Sequence, residues 1–245
     1  MRIGFSICVA IILMCGLLNA GQVVNQSFKG TIVKTVNLKY TLYLPDGYDK
    51  PGNKTEYPLI LFLHGAEYRG DDVSKIANLG PLGYAKSHAG FHFIVLAPLC
   101  PTGKQWKPDE LIALLDHIQR TYRIQKSAVY ITGYSMGGAG TWATAMEYPE
   151  RFAAVAPLCR RVIPLLIGNL WQTPVWVFHG DKDDVVPFAQ SEEAVSCLQG
   201  MGNKNVKFKV FQGRGHDIWP DVYGSSELYS WFMQFRKDFN TSKAN

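Results

Sequence analysis

A single serine stands among glycines in "TGYSMGG", residues 132–138, directly after the apolar run "AVYI". Gly133 and Gly137 flank Ser135 at two residues on either side. Without side chains at those positions a strand can turn sharply into a helix and hold the hydroxyl up at the edge of a sheet. A serine hydroxyl is a weak nucleophile at neutral pH, so it needs a base, and the base needs an acid to orient it. Two later segments, "HGDKDDVVP" (residues 179–187) and "GRGHDIW" (residues 213–219), each follow an apolar run. His216 is the base they offer. Asp181, Asp183 and Asp184 are the candidates for the acid, which gives the chain order Ser, Asp, His. Attack on an acyl carbon builds negative charge on the carbonyl oxygen, and preorganised backbone N–H groups stabilise that charge best. The N–H of Met136, next after the serine, is one expected donor. The loop after "LFLHG" supplies the other, Ala66, with His64 shaping the loop. His88, His92, His117 and His179 lack metal-ligand spacing and read as structural or surface residues, so no metal or organic cofactor is expected.

The elements that must position these groups follow from the hydrophobic pattern. The stretch "GTIVKTVNLKYTLYLPDG", residues 30–47, alternates as two strands of a hairpin would and ends in a Pro-Asp-Gly turn. Short continuous apolar runs follow: "YPLILFLHG", "FHFIVLAP", "AVYITGY", "FAAVAPL", "TPVWVFHG" and "VKFKVFQG". Unalternated runs closed by turn residues suit strands buried on both faces. Helical patterns lie between them. In "KPDELIALLDHIQRTYR" the residues Leu111, Leu114, Leu115, Ile118 and Tyr122 share a face, and Pro108 and Asp109 suit a first turn. The others are "MGGAGTWATAMEY", "FAQSEEAVSCLQG" and "SSELYSWFMQFRKDF"; "RRVIPLLIGNLWQ" is the least regular piece. The pattern predicts an α/β fold, with a mostly parallel central sheet, an N-terminal antiparallel hairpin and helices on both faces. Sites in such sheets lie beyond the carboxyl ends of the strands.

A chain of 245 residues with 47% apolar and 18% charged residues can bury one full core. Residues 1–20, with Arg2, an apolar run and Ala20, read as a secretory leader, leaving one catalytic domain over residues 21–245 and an extracellular or periplasmic protein. No stable membrane insertion is expected once the leader is cut. The net charge of +5 is mild and scattered, without the basic runs of a nucleic-acid binder. Sequons stand at Asn25, Asn53 and Asn240. Cys100, Cys159 and Cys197 remain after the leader. The motif "APLC" occurs twice, ending predicted strands at Cys100 and Cys159, so a Cys100–Cys159 disulfide is expected in an oxidising compartment.

Together "LHGAEYRGDD", "APLCP", "TGYSMGG", "PERFAAVAPLC", "FHGDKDDVVP" and "GHDIW" resemble the α/β-hydrolase superfamily, and within it the polyhydroxybutyrate depolymerases, feruloyl esterases and phospholipase/carboxylesterases. The resemblance runs from about Tyr40 to Phe235. It implies a serine esterase with Ser135 as nucleophile, His216 as base and Asp183 as acid, since Asp183 fills the acid's place in the "HGxxDxxVP" frame. Relatives usually carry a glycine where Glu67 stands and small residues at Arg160 and Arg161, which puts the substrate rather than the reaction in question. An outward Glu67–Arg69 pair is expected, with Glu67 at the cleft mouth, and Trp106, Trp171 and Trp219 are candidates to line the cleft. The expected substrates are short acyl or aromatic esters, free or attached to a polymer. A polyester is the near rival, ahead of a peptide, for which the chain lacks a large screening domain, and of a non-catalytic role, which the intact triad opposes.

Overall fold

The computed structural model describes residues 25–31, 33–160, 162 and 164–237. The chain divides into two units, residues 1–35 and 36–245. The described residues of the first carry no regular structure. The larger unit runs from Val36, and the leader and Asn240 lie outside the described residues. Among those residues no helix is long and apolar enough to cross a membrane.

Seven strands make one sheet: β1 (Tyr40–Tyr43), β2 (Tyr57–Leu63), β3 (Ile94–Pro98), β4 (Ile124–Tyr134), β5 (Ala154–Leu158), β6 (Val175–Gly180) and β7 (Val206–Phe211). Their order is β1-β3-β2-β4-β5-β6-β7. All neighbours are parallel except β1 and β3. The expected hairpin does not form, because Val33 to Lys39 are not strand and β1 pairs its four residues with β3 instead.

β2 is buried at every residue, as its unbroken apolar run predicts, and it still obeys the two-residue period of a strand. Leu59, Leu61 and Leu63 join one core, and Ile60 and Phe62 the other. The first core is covered by α2 (Pro108–Thr121), α3 (Met136–Glu147) and α4 (Ala189–Gly200). The second is covered by α1 (Gly80–Ser87), α5 (Trp219–Tyr223) and α6 (Ser226–Phe232). Each large side chain so buried contributes about 1.5–3 kcal/mol. On α2 the predicted face holds: Leu111, Leu114, Leu115 and Ile118 are buried, and Tyr122 is the C-cap. α6 ends at Phe232, earlier than its pattern, because the chain beyond it returns to the sheet. Phe235 O accepts from the Tyr130 hydroxyl at 2.9 Å and Lys237 N donates to Ser127 O at 2.7 Å.

The sharpest local demand is at the junction of β4 and α3. A Cβ placed on Gly137 would run into the Leu63 and His64 carbonyls, so the first turn of α3 lies directly on the end of β2. Backbone cannot yield there as a flexible side chain would. Gly137→Ala is expected to cost more than about 3 kcal/mol of stability, read from the urea midpoint; a loss below about 1 kcal/mol would show that α3 tolerates displacement.

Candidate active site

Ser135 sits at the N-cap of α3 with φ 53° and ψ −117°, a backbone state that costs a residue with a side chain about 1–3 kcal/mol. The surroundings hold it there. Ser135 N donates to Leu158 O on β5 at 3.1 Å, and Ala139 N donates to Ser135 O at 3.0 Å. The serine is half-buried at the carboxyl edge of the sheet, where the sequence places it.

Asp183 and His216 come from the turns after β6 and β7. His216 Nδ1 lies 2.8 Å from Asp183 Oδ2. Of the three candidate aspartates, Asp183 is the one brought to His216. Asp184 is exposed, and Asp181 Oδ1 accepts from Gly213 N at 2.6 Å, tying the acid's turn to the base's loop. Lys182 N donates to Arg214 O at 2.9 Å in the same seam. Gly180 permits the approach, since a Cβ on it would meet the Arg214 and Gly215 carbonyls.

The Asp183 side chain is fully buried. Burial pushes its carboxyl up, but the Val186 N–H, His216 and the Val185 N–H outweigh it and hold the group below the ordinary carboxylate range. Oδ1 accepts from Val185 N at 2.9 Å and Val186 N at 2.8 Å. Oδ2 lies between two imidazoles, His216 on one side and His179 Nε2, at 2.9 Å, on the other. His179, expected to be structural or at the surface, is thus a wholly buried neighbour of the acid. The signal for it was a polar residue at the third inward position of "VWVFHG", after Val175 and Val177 on the same face, where burial demands partners.

Cys159 follows the Leu158 carbonyl that holds Ser135, and its sulfur, one His179 ring nitrogen and one Asp183 oxygen lie within 4.8 Å of one another. Burial first, then the Asp183 charge, pushes its thiol up to about 12. This is a donor set that zinc accepts, yet the imidazole and carboxylate atoms are already hydrogen-bonded. The expected disulfide does not form: Cys100 and Cys159 are free thiols. Cys100 follows β3 and Cys159 follows β5, with β2 and β4 between. Three strand steps span roughly 14 Å, beyond the reach of a disulfide.

Two contacts connect Ser135 and its neighbour with the surroundings of this pair. Its backbone is bound to Leu158, beside Cys159, and its neighbour Tyr134 stacks on Trp219, three residues after His216, at 5.1 Å. Among the described residues Ser135 Oγ makes no side-chain hydrogen bond; such contacts commonly tighten only when substrate arrives. Of the expected oxyanion donors, Met136 begins α3, so its N–H has no intrahelical acceptor. Ala66 opens a short 3-10 turn just after β2, against whose end Gly137 packs. His64 shapes that loop: Cys100 N donates to its Nε2 at 3.0 Å, which leaves Nδ1–H to donate to Gly65 O at 2.6 Å. Burial holds its pKa below the ordinary value.

Other expectations change. Glu67 does not pair outward with Arg69; its Oε1 accepts from the Tyr134 hydroxyl at 2.7 Å, and Arg69 Nε donates to Ala66 O at 3.2 Å. The carboxylate gains a donor by turning back over Gly65. Trp106 is buried, donates to His64 O at 3.2 Å and packs on Gly140, so it is core rather than cleft. Trp219 borders the site. Trp171 is 52% exposed beyond a 3-10 helix at Pro164–Leu170, and Arg161 lies outside the described residues. Asn53 is turned inward, its Nδ2 donating to Gly47 O at 2.8 Å and Tyr57 Oη at 2.9 Å, so the nitrogen that a glycan would take is engaged.

Comparison with known proteins agrees with this architecture. A solved thermostable esterase superposes with a TM-score of 0.68 at 30% identity, covering 81% of this chain and 59% of that one. The chain has the α/β-hydrolase fold. A phospholipase/carboxylesterase family model matches its residues 106–226. A probable feruloyl esterase C of Aspergillus clavatus is 30% identical over 161 residues, 61% of this chain and 56% of the relative. A bifunctional acetylxylan esterase/xylanase of Neocallimastix patriciarum is 31% identical over 145 residues, 55% of this chain and 20% of the relative. The chain thus spans from a fifth to just over half the length of these curated relatives.

The two neighbouring aspartates separate the acid from a solvated turn. Asp183→Asn is expected to lower kcat by about 10³–10⁴-fold, because the amide misorients the imidazole and leaves its cation unsupported. Asp184→Asn should change kcat by less than about threefold. Steady-state rates on one ester decide it, and a larger loss at Asp184 would refute the assignment.

Proposed function

We propose that this α/β-hydrolase is a serine carboxylic-ester hydrolase working through an acyl-enzyme. The observation that carries the reading is the buried Asp183–His216 hydrogen bond at the sheet edge that presents Ser135 on a strained turn. In this mechanism Ser135 Oγ attacks the ester carbonyl while His216 Nε2 takes the hydroxyl proton. Asp183 holds Nδ1–H and supports the cation that forms. The Met136 and Ala66 N–H groups receive the oxyanion. His216 then returns the proton to the leaving alkoxide, so the alcohol departs. Water attacks the acyl-enzyme, with His216 again as base, and the carboxylic acid leaves with Ser135 restored.

The substrate proposed is a short-chain or aromatic ester of the acetyl or feruloyl type, carried on a small molecule or a polymer. Supporting it are the half-buried Trp219 ring, stacked on Tyr134 next to Ser135, an aromatic partner for a phenolic group, and the feruloyl and acetylxylan esterases among the relatives. Export through cleavage of residues 1–20 belongs to the same proposal.

Ser135→Ala is expected to lose ester turnover entirely and keep its melting temperature within about 4 °C, since a half-buried hydroxyl adds little to the core. Assays with p-nitrophenyl acetate, methyl ferulate, acetylated xylan, a polyester film and a peptide amide check both statements. Turnover of the two small esters with none of the amide is expected. Faster amide cleavage, or a Ser135→Ala protein that retains its rate, would refute the reading.

A further inference from the structure

We propose that His179 is a positioning residue for the catalytic acid: its Nε2–H, on the far side of Asp183 Oδ2 from His216, fixes the oxygen that orients the base. The inference rests on the serine-hydrolase reading above and adds a fourth side chain to it.

The argument begins with protons. His179 Nε2 faces two acceptors, Asp183 Oδ2 at 2.9 Å and the Val186 carbonyl at 3.0 Å. Neither can donate, since Asp183 is held ionised and a carbonyl carries no hydrogen, so Nε2 bears the hydrogen and shares it between them. The remaining nitrogen, Nδ1, lies 2.6 Å from Ser191 Oγ on α4. Burial holds the pKa of His179 below its ordinary value, which keeps the ring neutral and leaves Nδ1 to accept the serine's proton. One tautomer satisfies all three contacts. Ser191 is buried, and the Phe188 ring meets the imidazole edge-on at 5.7 Å, so the ring has no room to turn.

The consequence lies at Asp183. Its Oδ1 is held by two N–H groups of its own turn and its Oδ2 by His179 Nε2–H, so the carboxylate is braced at both oxygens against rotation about Cβ–Cγ. That orientation decides whether His216 Nδ1–H is met squarely. With His179 on one side and His216 on the other, Oδ2 stays in line as the imidazolium forms and decays. His179 is anchored in β6, in register with Val210 of β7, so the alignment is set by the sheet and not by a loop. His179 touches no reacting atom, and its effect passes entirely through Asp183.

The test compares two replacements of equal length. His179→Gln keeps an amide NH₂ able to reach both Asp183 and Val186; His179→Met keeps the volume and removes the donor. Each is assayed on p-nitrophenyl acetate, with near-ultraviolet circular dichroism and the thermal midpoint confirming the fold. The Met variant is expected to lose about 10- to 100-fold in kcat, because displacement of a catalytic group by a fraction of an ångström costs that much, with KM within about twofold of wild type. The Gln variant should retain kcat within about fivefold of wild type. A role in packing alone would treat the two alike. A folded Met variant with unchanged kcat, or a Gln variant no better than Met, overturns the proposal. Should neither fold, Ser191→Ala decides: it frees only the far side of the ring, and kcat is expected to fall about three- to tenfold, whereas an unchanged kcat overturns the proposal. A wild-type protein that cleaves no ester would instead refute the hydrolase reading and this inference with it; an active wild type with unaltered variants refutes this inference alone.

Discussion

A buried carboxylate without partners would destabilise this fold, and the carboxyl edge of the sheet is arranged around giving Asp183 the partners it needs. Its own turn gives two N–H groups, β6 gives His179 and the loop after β7 gives His216. Cys159, at the end of β5, closes the remaining side. Three consecutive strand ends therefore converge on one anion. The turn cannot drift from the base's loop, because Asp181 binds the Gly213 N–H and Gly180 admits the Arg214 carbonyl.

Ser135 is joined to this cluster through the backbone. Leu158 O accepts from Ser135 N, and the next residue, Cys159, with φ 46°, packs against the acid. Two side-chain-bearing residues with positive φ, Ser135 and Cys159, thus stand next to each other across β4 and β5. Strain at such positions persists only where neighbours over-determine it. Here the neighbours are the Leu63 and His64 carbonyls under Gly137 and the paired strand ends themselves. On the other side Glu67, Tyr134 and Trp219 link the loop after β2, the Ser135 turn and α5 through one hydrogen bond and one ring stack.

The strands were legible because a strand buried on both faces must be apolar throughout, and β2, β3 and β5 obey that rule. Ser135 and His216 stand out as candidates in the sequence because chemistry limits which residue types can serve there. Asp183 was not separable from Asp181 and Asp184 on local grounds, since only the fold decides which carboxylate is buried. α1 was missed because "GPLGYAKS" holds two glycines and a proline, and tertiary burial of Gly80, Pro81, Leu82 and Ala85 overrides that weak propensity. The disulfide and the hairpin failed for a shared reason. Both depended on strand order, and a repeated motif or a local alternation carries no information about which strand lies beside which. Metal-ligand spacing does not mark His179, because its partner is a carboxylate four residues on.

The central claim is that Ser135 alone, of all the hydroxyls in the chain, is a nucleophile activated by the Asp183–His216 pair. Incubation with a fluorophosphonate, which captures an activated serine covalently, followed by intact-mass measurement and peptide mapping, tests it most directly. The account predicts one adduct per chain, located on Ser135 and absent when the protein is unfolded in urea before labelling. No adduct on a protein that still cleaves esters, or an adduct on any other residue, would contradict it.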